Sequence, residues 1–256
     1  MNRLIVIILL ALTPVAVYPQ SGAEPFIEYF PTRGEEWLDS AYFSQWYQLP
    51  MSDVRNSCVP LSEKDYIEVA AELGVEVAAI KAVVDIETGR KHLGFWKQGK
   101  AIINFDLSIY RVYAPRHGVS LTRARKKYPV IFRSPDVRKY GSLQAAQYAR
   151  LEAAMEIDSA SALESCFWGM FQIGGFNWKQ CGCQSIDEFC MLMNRSERDQ
   201  LELFAAFCRA NNLVRFIQKK DWASFALRYN GPGYRKLRYH KKMAEAYKKF
   251  SNASKH

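Results

Sequence analysis

Glu87 has the clearest potential for chemistry in this sequence. Val77, Ile80, Val84 and Glu87 follow one another at steps of three and four, so the carboxyl lies on the apolar side of a predicted helix. Apolar surroundings raise the pKa of a carboxyl group and keep it protonated near neutral pH, which a general acid requires. A solvent-exposed glutamate at the end of a helix is the simpler alternative.

Two later segments contribute amide and aromatic side chains. Residues 168–173 include Trp168 and Gln172, and residues 228–234 include Tyr229 and Asn230. Amides both donate and accept hydrogen bonds, which suits the polar groups of a sugar, and Trp168 is a candidate platform for stacking on a sugar ring. Each residue also has a structural alternative, because Gln172 suits a buried amide and Tyr229 suits a core aromatic.

The elements that must position these residues are mostly helical. Ser62 and Asp65 form a capping box before a helix over 63–73, whose apolar face includes Ile67. The Glu87 helix follows, and several more helices are predicted after it. The first of these begins at Ser142, and the others cover 158–167, 185–193, 197–211, 213–219, 221–229 and 238–250. One mainly α domain over 61–250 with a small irregular or β arm is predicted, followed by a tail at 251–256.

Two stretches depart from the helical pattern. Residues 101–106 are typical of a short strand or an irregular arm. Residues 111–139 are basic and contain three prolines, so they are interpreted as an insertion or a long surface excursion.

The N-terminal residues 1–23 have the pattern of a secretory signal. A charged start is followed by the apolar run 4–12 and by small residues, with cleavage expected after Ala16 or Ala23. The run is short for a membrane span, although a retained anchor is the alternative. Residues 24–60 are rich in aromatic residues and form a predicted lead-in. The mature chain is therefore expected in the periplasm or outside the cell, without stable membrane insertion.

Export places six cysteines where disulfides can form. Their connectivity is not readable from the sequence, and structural disulfides and buried thiols both remain open. A metal site around Cys181, Cys183 and Cys190 is the less favoured alternative, because no histidine lies nearby and the spacing matches no common zinc pattern.

The net charge of +9 is concentrated near the C-terminus. Residues 209–256 contain thirteen Lys and Arg against Asp221 and Glu245, which gives about +11 and leaves about −2 for the rest of the chain. This distribution suits an anionic polymer such as peptidoglycan, a membrane surface or a nucleic acid, and a solvated helix face is the plain alternative. Export makes nucleic acid the least favoured partner.

Taken together, the three segments resemble the N-acetylmuramidase family of phage endolysins and bacterial wall-degrading proteins. This family lies within the lysozyme-like superfamily, alongside goose-type lysozymes and lytic transglycosylases. The resemblance is carried by residues 79–89, by 168–177, and by 221–226 leading into 229–234. It implies a helical lysozyme-like fold with a glycan-binding groove.

The resemblance also implies roles for individual residues. The catalytic glutamate of the family falls on Glu87, and Gln172, Tyr229 and Asn230 would line the groove, with Trp168 and Phe171 beside them. The family usually has a Phe-Glu pair followed shortly by His, whereas this sequence has Asp106 as the acidic residue and Ser108 in place of the imidazole. Asp106 is thus expected to assist Glu87 with a shorter carboxylate.

The expected function is hydrolysis of the β-1,4 bond between N-acetylmuramic acid and N-acetylglucosamine in peptidoglycan glycan strands. No metal or organic cofactor is expected. A lytic transglycosylase that forms 1,6-anhydromuramyl products is one alternative, and a non-catalytic peptidoglycan-binding protein is another. Oligomeric state, anomeric outcome and the choice between the cell's own wall and a competitor's are left open by the sequence.

Overall fold

The computed structural model describes residues 58–88 and 94–253. The predicted signal at 1–23 and nearly all of the predicted lead-in at 24–60 lie outside these ranges. Within them α-helices dominate, and two small antiparallel sheets accompany the helices. The predicted mainly α class with a small β arm is therefore confirmed.

The first helix, α1, spans Glu63–Leu73 and begins as its capping box predicts. The Ser62 hydroxyl accepts a hydrogen bond from Asp65 N, and the Asp65 carboxylate accepts one from Ser62 N. Gly74 ends the helix with a φ of 62°, a left-handed conformation that glycine adopts without steric cost. Ile67, expected on the apolar face, is 50% exposed, so that detail of the prediction was wrong.

The second helix, α2, spans Val77–Glu87 and is packed on several sides. Ile80 and Val84 are buried, as the apolar stripe predicts. Thr88 follows the helix, and its hydroxyl donates to the Val84 carbonyl at 2.7 Å. The C-terminal helix Tyr239–Ala253 packs against α2. The end of α2 is thereby fixed, and with it the position of Glu87.

Short antiparallel strands form the β arm. β1 (Phe95–Lys97) pairs with β2 (Lys100–Ala101). In the second sheet β4 (Cys166–Trp168) lies between β3 (Ile103–Phe105) and β5 (Ile173–Gly174). The strand expected within 101–106 is β3, so this expectation is confirmed.

The other helices follow in chain order along the described residues. They are α3 Leu107–Arg116, α4 Leu121–Lys127, α5 Val137–Tyr140, α6 Leu143–Met155, α7 Ser159–Glu164, α8 Ile186–Arg195, α9 Glu197–Ala210, α10 Val214–Gln218, α11 Trp222–Asn230 and α12 Tyr239–Ala253. Single 3₁₀ turns occur at Pro129–Phe132, Gly175–Asn177 and Pro232–Arg235.

The helix predicted over 158–167 is shorter than expected. α7 ends at Glu164, and the chain then enters β4. The Ser165 carbonyl accepts a hydrogen bond from Asp106 N, at the point where β4 begins to pair with β3. Pairing with a strand some sixty residues earlier in the chain overrides the local helical pattern here, which a short sequence window does not reveal.

The basic excursion at 111–139 is ordered by short helices and a buried arginine. It contains part of α3, then α4, a 3₁₀ turn and part of α5. Arg150 Nη1 donates to the Phe105 carbonyl at 2.8 Å, and Nη2 donates to the Ile131 carbonyl at 3.1 Å. Because Arg150 and Ile131 are both buried, the excursion is held against α6 and β3.

Cysteines contribute to the core as thiols. Five of them are buried and carry no disulfide in the described residues: Cys166, Cys181, Cys183, Cys190 and Cys208. Burial raises the pKa of Cys183 to about 12, and the other four thiols also have raised pKa values because they are buried. Thiols of this kind pack as small hydrophobic groups.

None of the helices in residues 58–88 and 94–253 is both long enough and apolar enough to cross a membrane.

Candidate functional site

The first and third sequence segments meet in a direct hydrogen bond. Glu87 is the last residue of α2, and Asn230 is the last residue of α11. Asn230 Nδ2 donates to Glu87 Oε2 at 2.9 Å. The chain turns sharply after Asn230, where Gly231 has a φ of 76° that favours glycine. Two helix ends are thus joined through the carboxyl and the amide.

The carboxyl group of Glu87 is poorly solvated. Its Oε1 is buried and has no hydrogen-bond partner in the described residues, and the same is true of Asn230 Oδ1. Burial raises the pKa of Glu87 to about 7, and the hydrogen bond from Asn230 opposes this rise. Glu87 is therefore protonated in a large fraction of molecules near neutral pH, whereas an ordinary glutamate is not.

Tyr229 joins the third segment to the second. Its hydroxyl donates to the Phe171 carbonyl at 2.9 Å. Its ring stacks on Phe225 at 5.5 Å and meets the edges of Phe204 and Phe207 at 5.5 and 6.0 Å. Burial, and then the charge of Glu87, hold the pKa of Tyr229 well above its usual value, so the phenol remains a proton donor in this bond.

The second segment forms the turn between β4 and β5. Gln172 has a φ of 49°, a left-handed conformation that is uncommon for a residue with a side chain. Its Nε2 donates to the Gly169 carbonyl at 2.9 Å, which closes the turn on itself. Gln172 is partly exposed, so its side chain remains accessible at the surface of the turn. Backbone strain of this kind is frequent at ligand-binding sites.

The aromatic residues expected to contact sugars face the core instead. Trp168 is fully buried, and its Nε1 donates to the Leu163 carbonyl at 3.1 Å. Phe171 is 3% exposed and stacks on Phe204 with ring centroids 4.3 Å apart. Because both side chains are buried, neither ring offers a face to a glycan in this conformation. The core interpretation is therefore favoured over the sugar contact expected of Trp168 and Phe171.

Asp106 lies at the start of α3 and caps that helix. Its Oδ1 accepts from Ser108 N at 2.7 Å, Ser108 Oγ at 2.5 Å and Ile109 N at 3.2 Å. Burial lowers the pKa of Arg150, and the charge of Asp106 opposes this shift. Neither a hydrogen bond nor an ion pair joins Asp106 to Glu87, both of which are described. The contacts of Asp106 are those of a helix cap near a buried cation.

A buried glutamine that the sequence analysis did not identify supports the same turn. Gln200 is fully buried, and its Oε1 accepts from Met170 N at 2.8 Å. Its Nε2 donates to the Gly94 carbonyl at 3.1 Å and to the Met193 carbonyl at 2.8 Å. A Cβ on Gly169 would lie 2.6 Å from Gln200 Oε1, so the turn approaches this side chain closely. Gln200 thus holds the turn that carries Gln172.

The periodicity of α9 contained the information needed to find Gln200. Glu197, Gln200, Phe204 and Cys208 recur at steps of three and four, and all four are buried. A polar side chain on an apolar stripe was the feature that drew attention to Glu87. Applied to α9, the same criterion identifies Glu197, whose Oε1 accepts from Gly94 N at 3.2 Å, and Gln200.

This arrangement can donate a proton from Glu87 and bind polar groups through Asn230 and Gln172. A carboxyl group with a pKa near 7 suits general acid chemistry at neutral pH. Over residues 58–88 and 94–253, no group of three or more His, Cys, Asp or Glu side chains is placed to hold a metal ion.

The raised pKa of Glu87 predicts a pH-dependent effect of Glu87→Gln on stability. Because the folded pKa of about 7 exceeds the ordinary 4.5, the stabilising contribution is complete below pH 4.5 and is lost as pH rises through 7. Glutamine does not titrate. We therefore expect the Tm of Glu87→Gln, relative to wild type, to increase as pH rises from 4.5 past 7.

Thermal unfolding across this pH range measures the effect. Glu245→Gln, on the exposed side of α12, provides a control that removes one carboxylate without burial. A Tm difference for Glu87→Gln that does not change with pH would contradict the raised pKa.

Comparison with known proteins places this site in a family. The sequence pattern of N-acetylmuramidases matches residues 76–251. The crystal structure of Burkholderia AP3 phage endolysin is similar to this chain at 34% sequence identity with a TM-score of 0.66, covering 76% of this chain and 72% of that one. No curated protein matches. Since the family pattern covers more than half of the sequence and includes Glu87, Gln172 and Asn230, this chain belongs to the N-acetylmuramidase family and is a peptidoglycan-hydrolysing glycoside hydrolase of the lysozyme type.

Proposed function

We propose that this protein is an exported muramidase that cleaves the β-1,4 bond between N-acetylmuramic acid and N-acetylglucosamine, with Glu87 as the general acid. The observation that carries this proposal is the buried Glu87 carboxyl, whose pKa is raised to about 7 and which has one amide partner, Asn230. Cleavage of a glycosidic bond requires protonation of the leaving oxygen as positive charge develops on the sugar ring.

The two oxygens of the Glu87 carboxyl have different surroundings. Oε2 accepts from Asn230 Nδ2, whereas Oε1 has no partner in the described residues. A proton on Oε1 has no competing acceptor in the described residues, so substrate binding that exposes Oε1 would let this proton pass to the glycosidic oxygen. After the proton leaves, the bond from Asn230 stabilises the carboxylate, which then takes a proton from the incoming water molecule.

Substrate contacts are proposed for Asn230 and Gln172. Asn230 Oδ1 is a buried acceptor without a partner in the described chain, so an N–H or O–H group of a glycan would satisfy it if binding exposes this oxygen. Gln172 lies partly exposed on the turn between β4 and β5. Tyr229 is proposed to hold the turn in place and not to contact the glycan, because its hydroxyl already donates to the Phe171 carbonyl.

Export is proposed from the sequence of the first 23 residues. A basic residue near the start, an apolar run too short for a comfortable membrane span and small residues after it support secretion. A compartment outside the cytoplasm is also where a peptidoglycan hydrolase meets its substrate.

A lytic transglycosylase is the second candidate, and the lack of a second carboxylate in contact with Glu87 supports it. Asp106 caps α3 and makes no direct contact with Glu87, so one carboxyl group would serve as acid and then as base. In a transglycosylase the muramyl 6-hydroxyl replaces water in the second step. A hydrolase releases reducing ends, whereas a transglycosylase releases 1,6-anhydro ends.

We expect wild-type protein to release soluble muropeptides from purified sacculi, and Glu87→Gln to release none while remaining folded. Glutamine has nearly the same shape and accepts from Asn230 but has no carboxylic proton to donate. Mass spectrometry of the products identifies reducing or anhydro ends. In the wild type, kcat/KM should fall as pH rises through about 7, because Glu87 loses its proton. Undiminished release by Glu87→Gln would refute the role of Glu87.

Asp106→Asn distinguishes a structural role of Asp106 from the predicted catalytic one. Asparagine also caps helices well, so we expect muropeptide release close to the wild-type rate and a small loss of stability from weaker compensation of Arg150. Asp106→Ala, which also removes the cap, should cost about 1 kcal/mol of unfolding free energy. Loss of release in a fully folded Asp106→Asn protein would instead establish that its carboxylate assists Glu87.

Gln200→Leu should slow the reaction beyond its effect on stability. The variant leaves Met170 N and two carbonyls unpaired in the core, at a cost on the order of 3 kcal/mol. It also frees the turn that carries Gln172, so muropeptide release should fall roughly tenfold to a hundredfold at temperatures where the protein is folded.

Gln147→Leu is the matched control. Gln147 is also a buried glutamine, and it bonds Phe105 N, Asn104 and Arg150 instead of the turn. It should lose comparable stability but keep its rate in the folded range. Equal rate losses in Gln200→Leu and Gln147→Leu would show that Gln200 matters for stability alone.

A further inference from the structure

Residues 111–139 expose an unusual concentration of positive charge. The segment contains nine Lys and Arg residues and one carboxylate, Asp136, and all nine cationic residues are exposed. We call this set the basic surface. Its members are Arg111, Arg116, Arg123, Arg125, Lys126, Lys127, Arg133, Arg138 and Lys139.

The cations of the basic surface are largely without carboxylate partners. Within 111–139, all of which is described, Arg138 is the one Lys or Arg that forms an ion pair. It pairs with Asp136 at 3.6 Å, and its side chain is 92% exposed. The surface formed by α1 and α9 is different, because there Arg198 alone contacts three carboxylates, Asp65, Glu68 and Glu202. An ordinary solvated surface mixes charges as α1 and α9 do, whereas the basic surface leaves its charge open to an external anion.

Several cations of the basic surface are held over aromatic rings. Arg116 lies 4.7 Å from the centre of the Tyr113 ring, and Arg125 lies 5.0 Å from that of Phe132. Lys127 and Lys139 lie over their neighbouring tyrosines at 5.0 and 5.2 Å. These contacts restrict the side chains, so less conformational entropy is lost when an anion binds.

The backbone under these cations is fixed as well. Ile131 is fully buried, and its carbonyl accepts from the buried Arg150. Ser120 and Asp136 cap α4 and α5, so the short helices have defined starts. The basic surface is therefore a constant feature of the folded domain.

We propose that the basic surface binds the carboxylates of peptidoglycan stem peptides. This proposal rests on the peptidoglycan substrate but not on the catalytic role of Glu87. Six of the nine cations are arginines, whose planar guanidinium groups pair with carboxylates through two hydrogen bonds. The charges are spread over α3, α4, Arg133 after the 3₁₀ turn, and α5, which suits an extended polymer with repeated anions.

A lipid surface fits these observations less well. Within 111–139, a segment that is fully described, Val137 is the one large hydrophobic residue that is exposed, at 46%. Helices that lie on membranes present a broad apolar face below their cations, and this segment lacks such a face. The chemistry of the basic surface is therefore that of an aqueous polyanion.

The test measures binding to purified sacculi in the Glu87→Gln background, where degradation does not complicate the measurement. Four cations of α4 are replaced together: Arg123→Gln, Arg125→Gln, Lys126→Gln and Lys127→Gln. The matched control removes four exposed lysines of α12: Lys241→Gln, Lys242→Gln, Lys248→Gln and Lys249→Gln. Both variants lose the same net charge, and glutamine is a good helix former in both helices.

We expect the α4 variant to bind sacculi about tenfold more weakly than its parent, with a smaller loss in the α12 variant. Sacculi whose carboxylates have been amidated should bind the parent at least as weakly as native sacculi bind the α4 variant. Thermal unfolding verifies that both variants are folded. The salt dependence of binding should decrease in the α4 variant, because fewer charge contacts remain to be screened.

Three outcomes would overturn the proposal. Equal losses in the α4 and α12 variants would mean that only net charge matters. Unchanged binding to amidated sacculi would exclude the stem carboxylates. Binding to anionic phospholipid vesicles that is as strong as binding to sacculi, with the same dependence on α4, would assign the basic surface to lipid. Muropeptide release by the wild type tests the muramidase proposal separately, so the two proposals fail independently.

Discussion

The rest of the site depends on the hydrogen bond from Asn230 to Glu87, which is the one hydrogen bond to this buried carboxyl in the described residues. A carboxyl group that is buried beside a single amide donor is stabilised too little in its charged form to keep an ordinary pKa. A second strong donor or a nearby cation would lower the pKa, and greater exposure would do the same. The fold must therefore bring two helix ends together, with Glu87 and Asn230 at the ends of α2 and α11, while it keeps water and charge away from Oε1.

Aromatic packing and buried amides hold the end of α11 and the turn between β4 and β5 in place. Tyr229, which precedes Asn230, is fixed among Phe204, Phe207 and Phe225, so the end of α11 has little freedom. The Tyr229 hydroxyl donates a hydrogen bond to the turn between β4 and β5. Gln200 on α9 accepts a second hydrogen bond from the same turn. The same packed helices thus position both Glu87 and the turn between β4 and β5, so core packing sets the distance between them.

The sequence predicted this arrangement where periodicity was sufficient and failed where long-range pairing decided the outcome. The apolar stripe of α2 placed Glu87 on the buried side, and the ends of α1 were marked by Ser62 and Gly74. The burial of Trp168 is not readable from a local pattern, because it depends on β4 pairing with a strand some sixty residues earlier. Gln200 lies on the same kind of stripe in α9, so periodicity indicates its burial, but its bonds to Gly94 and Met193 depend on the tertiary fold.

Asp106 shows how a local signal competes with a family pattern. Family resemblance draws attention to its carboxylate, but an aspartate between a strand and a helix, with Ser108 two residues later, also has the features of an N-cap. Its Oδ1 accepts three hydrogen bonds within α3, and its charge acts on Arg150. In the proposed mechanism Glu87 therefore has to work without a second carboxylate in contact with it. Positive charge on the sugar ring would then be stabilised by the Glu87 carboxylate itself and by the dipole of Asn230, whose Oδ1 lies unpaired in the described chain.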